Sequence, residues 1–365
     1  MNKEMPSIVF QPRQKAIHRQ IAESVRDKIN SGEIPSGTRL PSTQALAKSW
    51  KTHVEAVHMA LTQLAKEGLL ERSKKGTRVR QIGNRLSTIG VYSSSDIWAT
   101  DLKEADYCRH VYRNFQEILA ENNIKERVFL DVRPADEQTS PCPLLEKAVN
   151  EREIQTLMVL TMGKRHEKWL PRQPIPMTGL GAPISSNVNY DMKQFIEAGV
   201  ESLVGKGCRS IGMFGPFEKA NPEFYNHFRL TAKKAGVKVR SEWIPVPSEW
   251  IRNHEQYGYE QFRLLWKQTQ RPDGMLVFTD VMAKGVVTAV LQEKVRVPED
   301  LCLALHRHRE IGYLCPFPVT FIESSCRIVA EKLWEQIQHQ LKGEKPKAVQ
   351  LKFSQVENYE HSRNS

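Results

Sequence analysis

The sequence has no run of the roughly 18 consecutive apolar residues that a membrane helix needs, so no membrane partner is expected. Its opening stretch, MNKEMPSIVFQPRQK, lacks the apolar core that directs secretion, and a cytoplasmic location is the expectation. The six cysteines, Cys108, Cys142, Cys208, Cys302, Cys315 and Cys326, are scattered, without a CxxC pair or a histidine at ligand spacing. That pattern points to reduced, mostly buried thiols rather than a disulfide framework or a zinc site. Also missing are GxSxG, GxxxxGK[ST], HExxH and a GxGxxG loop after a strand, the motifs that would announce a nucleophilic serine, a phosphate cradle, a metalloprotease or a dinucleotide site. Neither an enzyme activity nor a cofactor is expected.

Charge is present but unevenly placed. The 365 residues, 40% of them hydrophobic, suffice for two or three domains with real cores. Of the net charge of +11, residues 1–85 hold +9, from 16 Lys/Arg against 7 Asp/Glu. A small basic module on a nearly neutral body is the footprint of nucleic-acid binding, because Lys and Arg displace counterions condensed on phosphates.

The pattern within that module is helical. Ile17, Ile21, Val25 and Ile29 recur every four positions and predict a helix over residues 16–30. After a Pro- and Gly-containing turn, Ser42 can accept a backbone N–H and cap a short second helix, whose buried side carries Leu46, Ala47 and Trp50. Val54, Val57, Leu61 and Leu64 predict a third helix over 53–67, with those four facing the core and Gly68 ending it. A strand at Leu69–Arg72, a polar turn at Ser73–Thr77 and a return strand at Arg78–Arg80 complete a basic-tipped hairpin. Three helices and a hairpin suit DNA: a helix fits the major groove and the hairpin reaches the adjacent backbone.

The stretches AIHRQIAESVRDKINSGEIPSGTRLPSTQALAKSW and AVHMALTQLAKEGLLERSKKGTRV resemble the winged-helix domain of the GntR family of bacterial regulators. The resemblance implies double-stranded DNA contacts from Ser42, Gln44, Thr52, His53, His58, Lys74, Lys75, Gly76 and Thr77. Three arginines common in that family are replaced here by Gln44, Val54 and His58, which implies an unusual operator preference. Glu55 is a puzzle on such a helix, since a carboxylate repels phosphate.

Residues 1–82 are therefore read as the DNA-binding domain, 83–87 as a polar linker, and 88–360 as a second domain of alternating strands and helices. That alternation predicts an α/β, doubly wound parallel-sheet architecture. It includes expected strands at Arg127–Val132, Ile175–Leu180, Val237–Val246 and Leu301–Leu305, and a helix at Ala283–Glu293. Ligands in such sheets bind beyond the carboxyl ends of strands, which directs attention to Ser93–Asp96, Arg133–Asp136, Thr161-Met162, Phe217-Glu218, Thr279-Asp280 and His306–His308.

The stretches IGVYSSSD, NVNYDMKQFIEAGVESLVGKGCRSIGMFGP, YGYEQF, RPDGMLVFTDVMAKGVVTAVLQEKVRVPEDLCLAL and PVTFIESSCRIVAEKLWEQI resemble the periplasmic-binding-protein-like sensor of LacI-type regulators. The resemblance implies two lobes with a sugar-sized cleft and a homodimer, and makes Asp280 an effector-binding candidate. The strand-end rule adds Ser94, Asp96, Thr161, Phe217, His306 and Arg307, and Trp250 and Trp98 are candidate stacking rings. Where the family commonly places a sugar-binding aspartate, this chain has Leu305-His306-Arg307-His308-Arg309, and the family's arginine near Pro222 is absent. Histidine and arginine would suit an anionic effector better than a neutral sugar. No cysteine or aspartate near His306 and His308 in sequence completes a metal set, so no metal site is expected. Two readings remain: an effector-modulated DNA-binding regulator, or a small-molecule-binding protein or enzyme whose basic head binds RNA or membrane.

Overall fold

The computed structural model describes residues 16–30, 33–35, 37–73, 76–80, 86–98, 105–134, 137, 141–162, 169–173, 175–216, 222–248, 251 and 253–358. The expectations at Lys74, Lys75, Phe217, Glu218 and Trp250 lie outside these residues, as do part of the linker and part of Arg133–Asp136. Among the described residues, no helix is long and apolar enough to cross a membrane. All six cysteines are free, and five of them are buried.

The amino-terminal module consists of α1 (Ile17–Asn30), α2 (Thr43–Ser49), α3 (Val54–Lys66), β1 (Leu70–Ser73) and β2 (Gly76–Val79). Its core gathers Ile21, Val25, Leu46, Trp50, Val57, Leu61, Leu64 and Val79. Val54 departs from the predicted stripe: it is 47% exposed, because the first turn of α3 projects beyond the core that Val57 closes. The strands pair antiparallel with Arg72 opposite Thr77, and Thr38–Leu40 adds backbone hydrogen bonds along β2. Gly68 ends the helical segment at φ +80°, where an L side chain would be strained. A bidentate Arg26–Glu67 pair at 2.8–3.1 Å ties α1 to that end.

Beyond it lie β3 (Thr88–Ser93), α4 (Ala105–Glu121), β4 (Lys125–Leu130), α5 (Pro143–Asn150), β5 (Thr156–Thr161), β6 (Met177–Leu180), β7 (Asn187–Tyr190), α6 (Met192–Gly205), β8 (Ile211–Phe214), α7 (Glu223–Lys234), α8 (His254–Trp266), β9 (Gly274–Val277), α9 (Asp280–Gln292), β10 (Cys302–His308), β11 (Thr320–Ser324), α10 (Cys326–Leu341), β12 (Val349–Leu351) and β13 (Ser354–Glu357). They form a six-stranded sheet, order β12-β7-β6-β5-β3-β4, and a five-stranded sheet, order β13-β11-β10-β9-β8. The central pairings are parallel, and only β13 runs antiparallel to its neighbour β11 among the five. Strands covered on both faces read as continuous apolar runs, and β5 (TLMVLT) and β9 (GMLV) do so.

The chain divides into two compact units: Met1–Asp96 with Phe115–Val188 and Ala330–Val349, and Ile97–Asn114 with Asn189–Val329 and Gln350–Ser365. Within the first, a cavity of about 130 Å³ is lined by Ile29, Pro35 and Leu69 of the amino-terminal module and by Pro171, Ile175 and Met177 beside the six-stranded sheet. Within the second, α8 and α9 cross at two glycines. A Cβ on Gly285 would stand 1.9 Å from the Glu255 carbonyl oxygen, and one on Gly258 2.4 Å from that of Met282. The glycine in the TDVMAKG stretch is thus required by backbone packed on backbone.

Three predicted elements are corrected. Residues 237–246 form no strand: Lys238 makes one parallel bridge to Ser210, and a 3-10 turn at Ser241–Trp243 then buries Trp243. Helix α9 starts at Asp280 rather than Ala283, with Thr279 as its cap accepting from the Met282 N–H at 3.4 Å. Strand β10 runs on to His308, so His306 and His308 lie in the strand and not in a loop beyond it. The strands β7, β11, β12 and β13 went unpredicted: β7, β12 and β13 are short and half polar, while β11 (TFIES) is buried along its whole length.

Candidate functional site

In the amino-terminal module, the residues singled out on α2 and α3 divide by exposure. Gln44, His53, Val54 and His58 are exposed. Ser42 is exposed and its hydroxyl accepts the Ala45 N–H at 3.1 Å, so it caps α2 as its sequence position implies. Thr52 turns the other way: its Oγ1 is buried without a hydrogen-bond partner, which removes it from any outward-facing set. Glu55 lies exposed in the first turn of α3, where the helix dipole favours a carboxylate; that accounts for its presence. On the hairpin, Gly76 is exposed and Thr77 half-buried.

Sequence reasoning missed the exposed arginines of this module. Arg39, Arg72 and Arg78 are exposed. Arg72 donates to Thr62 Oγ1 at 2.6 Å and lies 3.4 Å from Nδ1 of His58, which lays a guanidinium from β1 along the outer face of α3. Arg39 flanks Gly76, where a Cβ would lie 3.3 Å from its Nε. The signal was the hairpin register: Arg72 pairs with Thr77, one of the residues already singled out.

At the carboxyl edge of the six-stranded sheet, hydroxyls converge. The register of β3 on β5 shifts between Tyr92 and Ser93, a bulge that re-aims the strand end. Thr161 Oγ1 lies 2.7 Å from Ser93 Oγ and 3.2 Å from Ser94 Oγ, and it accepts the Ser94 N–H at 3.0 Å. Asp96 is half-buried in the following loop. Arg133 is clamped by buried Asp131 through two hydrogen bonds of 2.7 Å. Trp98 belongs to the other unit, where it packs edge-on against Tyr112.

At the carboxyl edge of the five-stranded sheet the chemistry is different. Asp280, His306 and His308 are all buried, at 4%, 2% and 8% exposure. The backbone N–H of Asp280 donates to His306 Nδ1 at 3.1 Å, so His306 carries its proton on Nε2, which meets Ser324 Oγ at 3.0 Å. The same hydroxyl lies 2.6 Å from His308 Nδ1. His308 Nε2 faces Asp280 Oδ1 at 3.7 Å, and Tyr107 stacks on the His308 ring at 4.4 Å. Burial pushes both imidazoles below their ordinary range; for His306 the neighbouring His308 adds to this, and for His308 the pull of Asp280 does not offset it. Both rings are neutral at pH 7.

Two sequence expectations change here. Arg307 does not join the group: it alternates to the opposite face of β10, hydrogen-bonds Glu323 at 2.8 Å and lies 3.7 Å over the Phe321 ring. The reason for discounting a metal also fails, because Asp280, 26 positions away in sequence, completes the set in space. Beyond the cluster, Glu310 accepts the backbone N–H groups of Cys326 and Arg327 at 2.8 and 3.1 Å and so caps α10. Burial raises its carboxyl, but those bonds and that of the Ser325 hydroxyl outweigh it and hold the pKa below the usual value.

Comparison with known proteins places these features. Residues 17–79 match the family of bacterial regulatory proteins called gntR, and residues 200–355 match the periplasmic binding protein-like domain. The HTH-type transcriptional repressor PurR of Pectobacterium atrosepticum is 30% identical over 101 residues, 27% of this chain and 28% of that protein. The uncharacterized HTH-type transcriptional regulator YisV of Bacillus subtilis is 39% identical over 70 residues, 18% of this chain and 14% of that protein. The chain thus spans well under two thirds of the length of these curated relatives, whose names are those of transcriptional regulators. Among solved structures, a LacI family transcription regulator from Clostridium acetobutylicum matches at 18% identity and a TM-score of 0.59, covering 74% of this chain and 98% of that one. A LacI family transcriptional regulator from Arthrobacter in complex with lactose matches at 16% identity and 0.58, covering 74% and 97%. At these identities the likeness establishes the fold.

Proposed function

This chain joins a gntR-type helix-turn-helix head to a LacI-type, periplasmic-binding-protein-like domain, and from that premise we propose that it is a bacterial transcription regulator whose affinity for double-stranded DNA is set by a small-molecule effector. One observation carries the DNA half. Gln44 on α2 and His53, Val54 and His58 at the start and along the outer face of α3 are exposed, and Arg72 lies along that face. Arg39 and Arg78 are exposed at the hairpin, and residues 1–85 hold +9 of the net charge of +11. Phosphate contacts from the arginines would position the head, and Gln44 and His58 would meet base edges. Val54 offers only an apolar contact, which suits a thymine methyl.

The effector half rests on the two strand-end edges. Ser94 and Thr161 offer hydroxyls at one, and Asp280 with its histidines lies at the other. With Arg307 committed to Glu323, a neutral polyhydroxyl ligand is favoured over an anionic one. The working protein is proposed to be a cytoplasmic homodimer on a two-fold operator, with the module seated beside the six-stranded sheet as the route by which effector state reaches the head.

The test is selection of duplexes from a random pool with the full-length protein, followed by binding across a salt series. The triple variant Arg39→Ala, Arg72→Ala and Arg78→Ala is expected to reduce the slope of log affinity against log salt by about 3. An unchanged slope, or preference for single-stranded RNA over every duplex, would sink the reading. Sugars, sugar acids and sugar phosphates screened by thermal shift then address the effector.

A further inference from the structure

The geometry points to a divalent transition-metal site formed by Asp280, His306 and His308 at the carboxyl edge of the five-stranded sheet. One carboxylate oxygen and one nitrogen from each imidazole lie within 4.8 Å of one another, and all three residues are buried. Among the described residues the Asp280 carboxylate has no hydrogen bond, and its nearest polar partner is the neutral His308 Nε2 at 3.7 Å, too long for a proton to bridge well. A carboxylate this buried needs a partner. The neutral imidazoles are the form that binds metal. Two nitrogens and one oxygen match the borderline donor set of zinc, cobalt or nickel rather than the all-oxygen set of magnesium or calcium.

Proton placement shows how the ligands would be presented. His306 holds Ser324 through Nε2–H, which leaves Nδ1 as its lone pair, now occupied only by the Asp280 amide. For a cation to reach Nδ1 the Asp280 amide must move aside, so loading the site would shift the first turn of α9. His308 rests its Nδ1 on the same serine and turns Nε2 toward Asp280. Ser324 then accepts from both rings and fixes their tautomers, as outer hydroxyls and carboxylates do around metal-binding histidines. Metal–nitrogen distances of about 2.0–2.1 Å require the three atoms, now within 4.8 Å of one another, to draw together. Arg307 and Arg309 are drawn to Glu323 instead of the cluster, so no guanidinium competes for the carboxylate.

This inference deepens the proposed effector half and is independent of DNA recognition, so the two fail separately. Chelator-treated full-length protein is titrated with Co²⁺, read by its visible ligand-field band, and the band is then displaced by Zn²⁺. The expected result is one equivalent per chain. Asp280→Asn and His308→Gln, each close in shape to the parent, abolish the band, and Ser324→Ala weakens binding by about 10–100-fold. His339→Gln, altering an imidazole on α10 outside the cluster, leaves it unchanged. Absence of a band in the parent at saturating Co²⁺ would falsify the site without any variant having to fold, and so would a band that survives both ligand substitutions in folded protein. Binding to the selected duplex is measured separately, so its failure leaves the band as its own readout.

Discussion

The head and the five-stranded sheet edge handle their polar residues in opposite ways. In the head, Gln44, His53, His58 and Arg72 are exposed and rest on a small core that does not depend on them. At the sheet edge, Asp280, His306, His308 and Ser324 are buried and hold one another in place. The difference follows from the ligands each would take. Phosphate binding gains by releasing counterions at an open surface, whereas selecting a small ligand or ion needs desolvated donors whose orientation is fixed beforehand. Substitutions should therefore separate: at the sheet they cost stability, and in the head they cost DNA affinity.

The largest effect tests the packing behind the sheet edge. Gly285→Ala places a methyl on the Glu255 carbonyl, and neither helix backbone can yield without shifting α9, whose first residue is Asp280. A loss of about 3 kcal/mol or more is expected, seen as a drop of about 6–12 °C in thermal unfolding. An unchanged midpoint would mean that the α8–α9 crossing is not a rigid backbone contact and that the sheet edge is not rigidly held.

That glycine marks the boundary of what the sequence made legible. Its presence in the TDVMAKG stretch pointed to the fold, but only the crossing of α8 on α9 gives the reason for it. The three head helices and their caps were readable because Ile21, Val25, Leu61 and Leu64 repeat with the helical period and Ser42 stands where a cap is needed. The end of β10 was not readable. His306 and His308 look like loop residues until Ser324 of β11 and the Asp280 amide satisfy them, and both partners come from other elements. Arg307 misled for the same reason, since its partner Glu323 lies on the neighbouring strand.

A middle-sized effect separates folding from recognition in the head. Ser42→Ala removes the hydroxyl that accepts the Ala45 N–H and should cost about 1 kcal/mol, measured by hydrogen exchange along α2. Ser42→Asp keeps the cap and restores that protection, but it adds a negative charge on the proposed DNA face. Restored protection with weakened duplex binding is the expected outcome. If the aspartate variant binds DNA as well as the parent, Ser42 serves α2 alone.

The smallest effect on stability, and the sharpest test of the contrast, is at Arg72. Its guanidinium is exposed and bonds only at the surface of α3, so Arg72→Ala should change unfolding free energy by no more than about 0.5 kcal/mol. Duplex affinity should nevertheless fall, with the salt slope reduced by about 1 if the arginine neutralises one phosphate. A second possibility is that Arg72 acts by holding His58, 3.4 Å away, against the groove. A double-mutant cycle with His58→Ala distinguishes the two. Independent phosphate and base contacts give additive losses, while a positioning role makes the double variant no worse than Arg72→Ala alone. Loss of stability with DNA affinity intact would reverse the assignment and make Arg72 part of the scaffold.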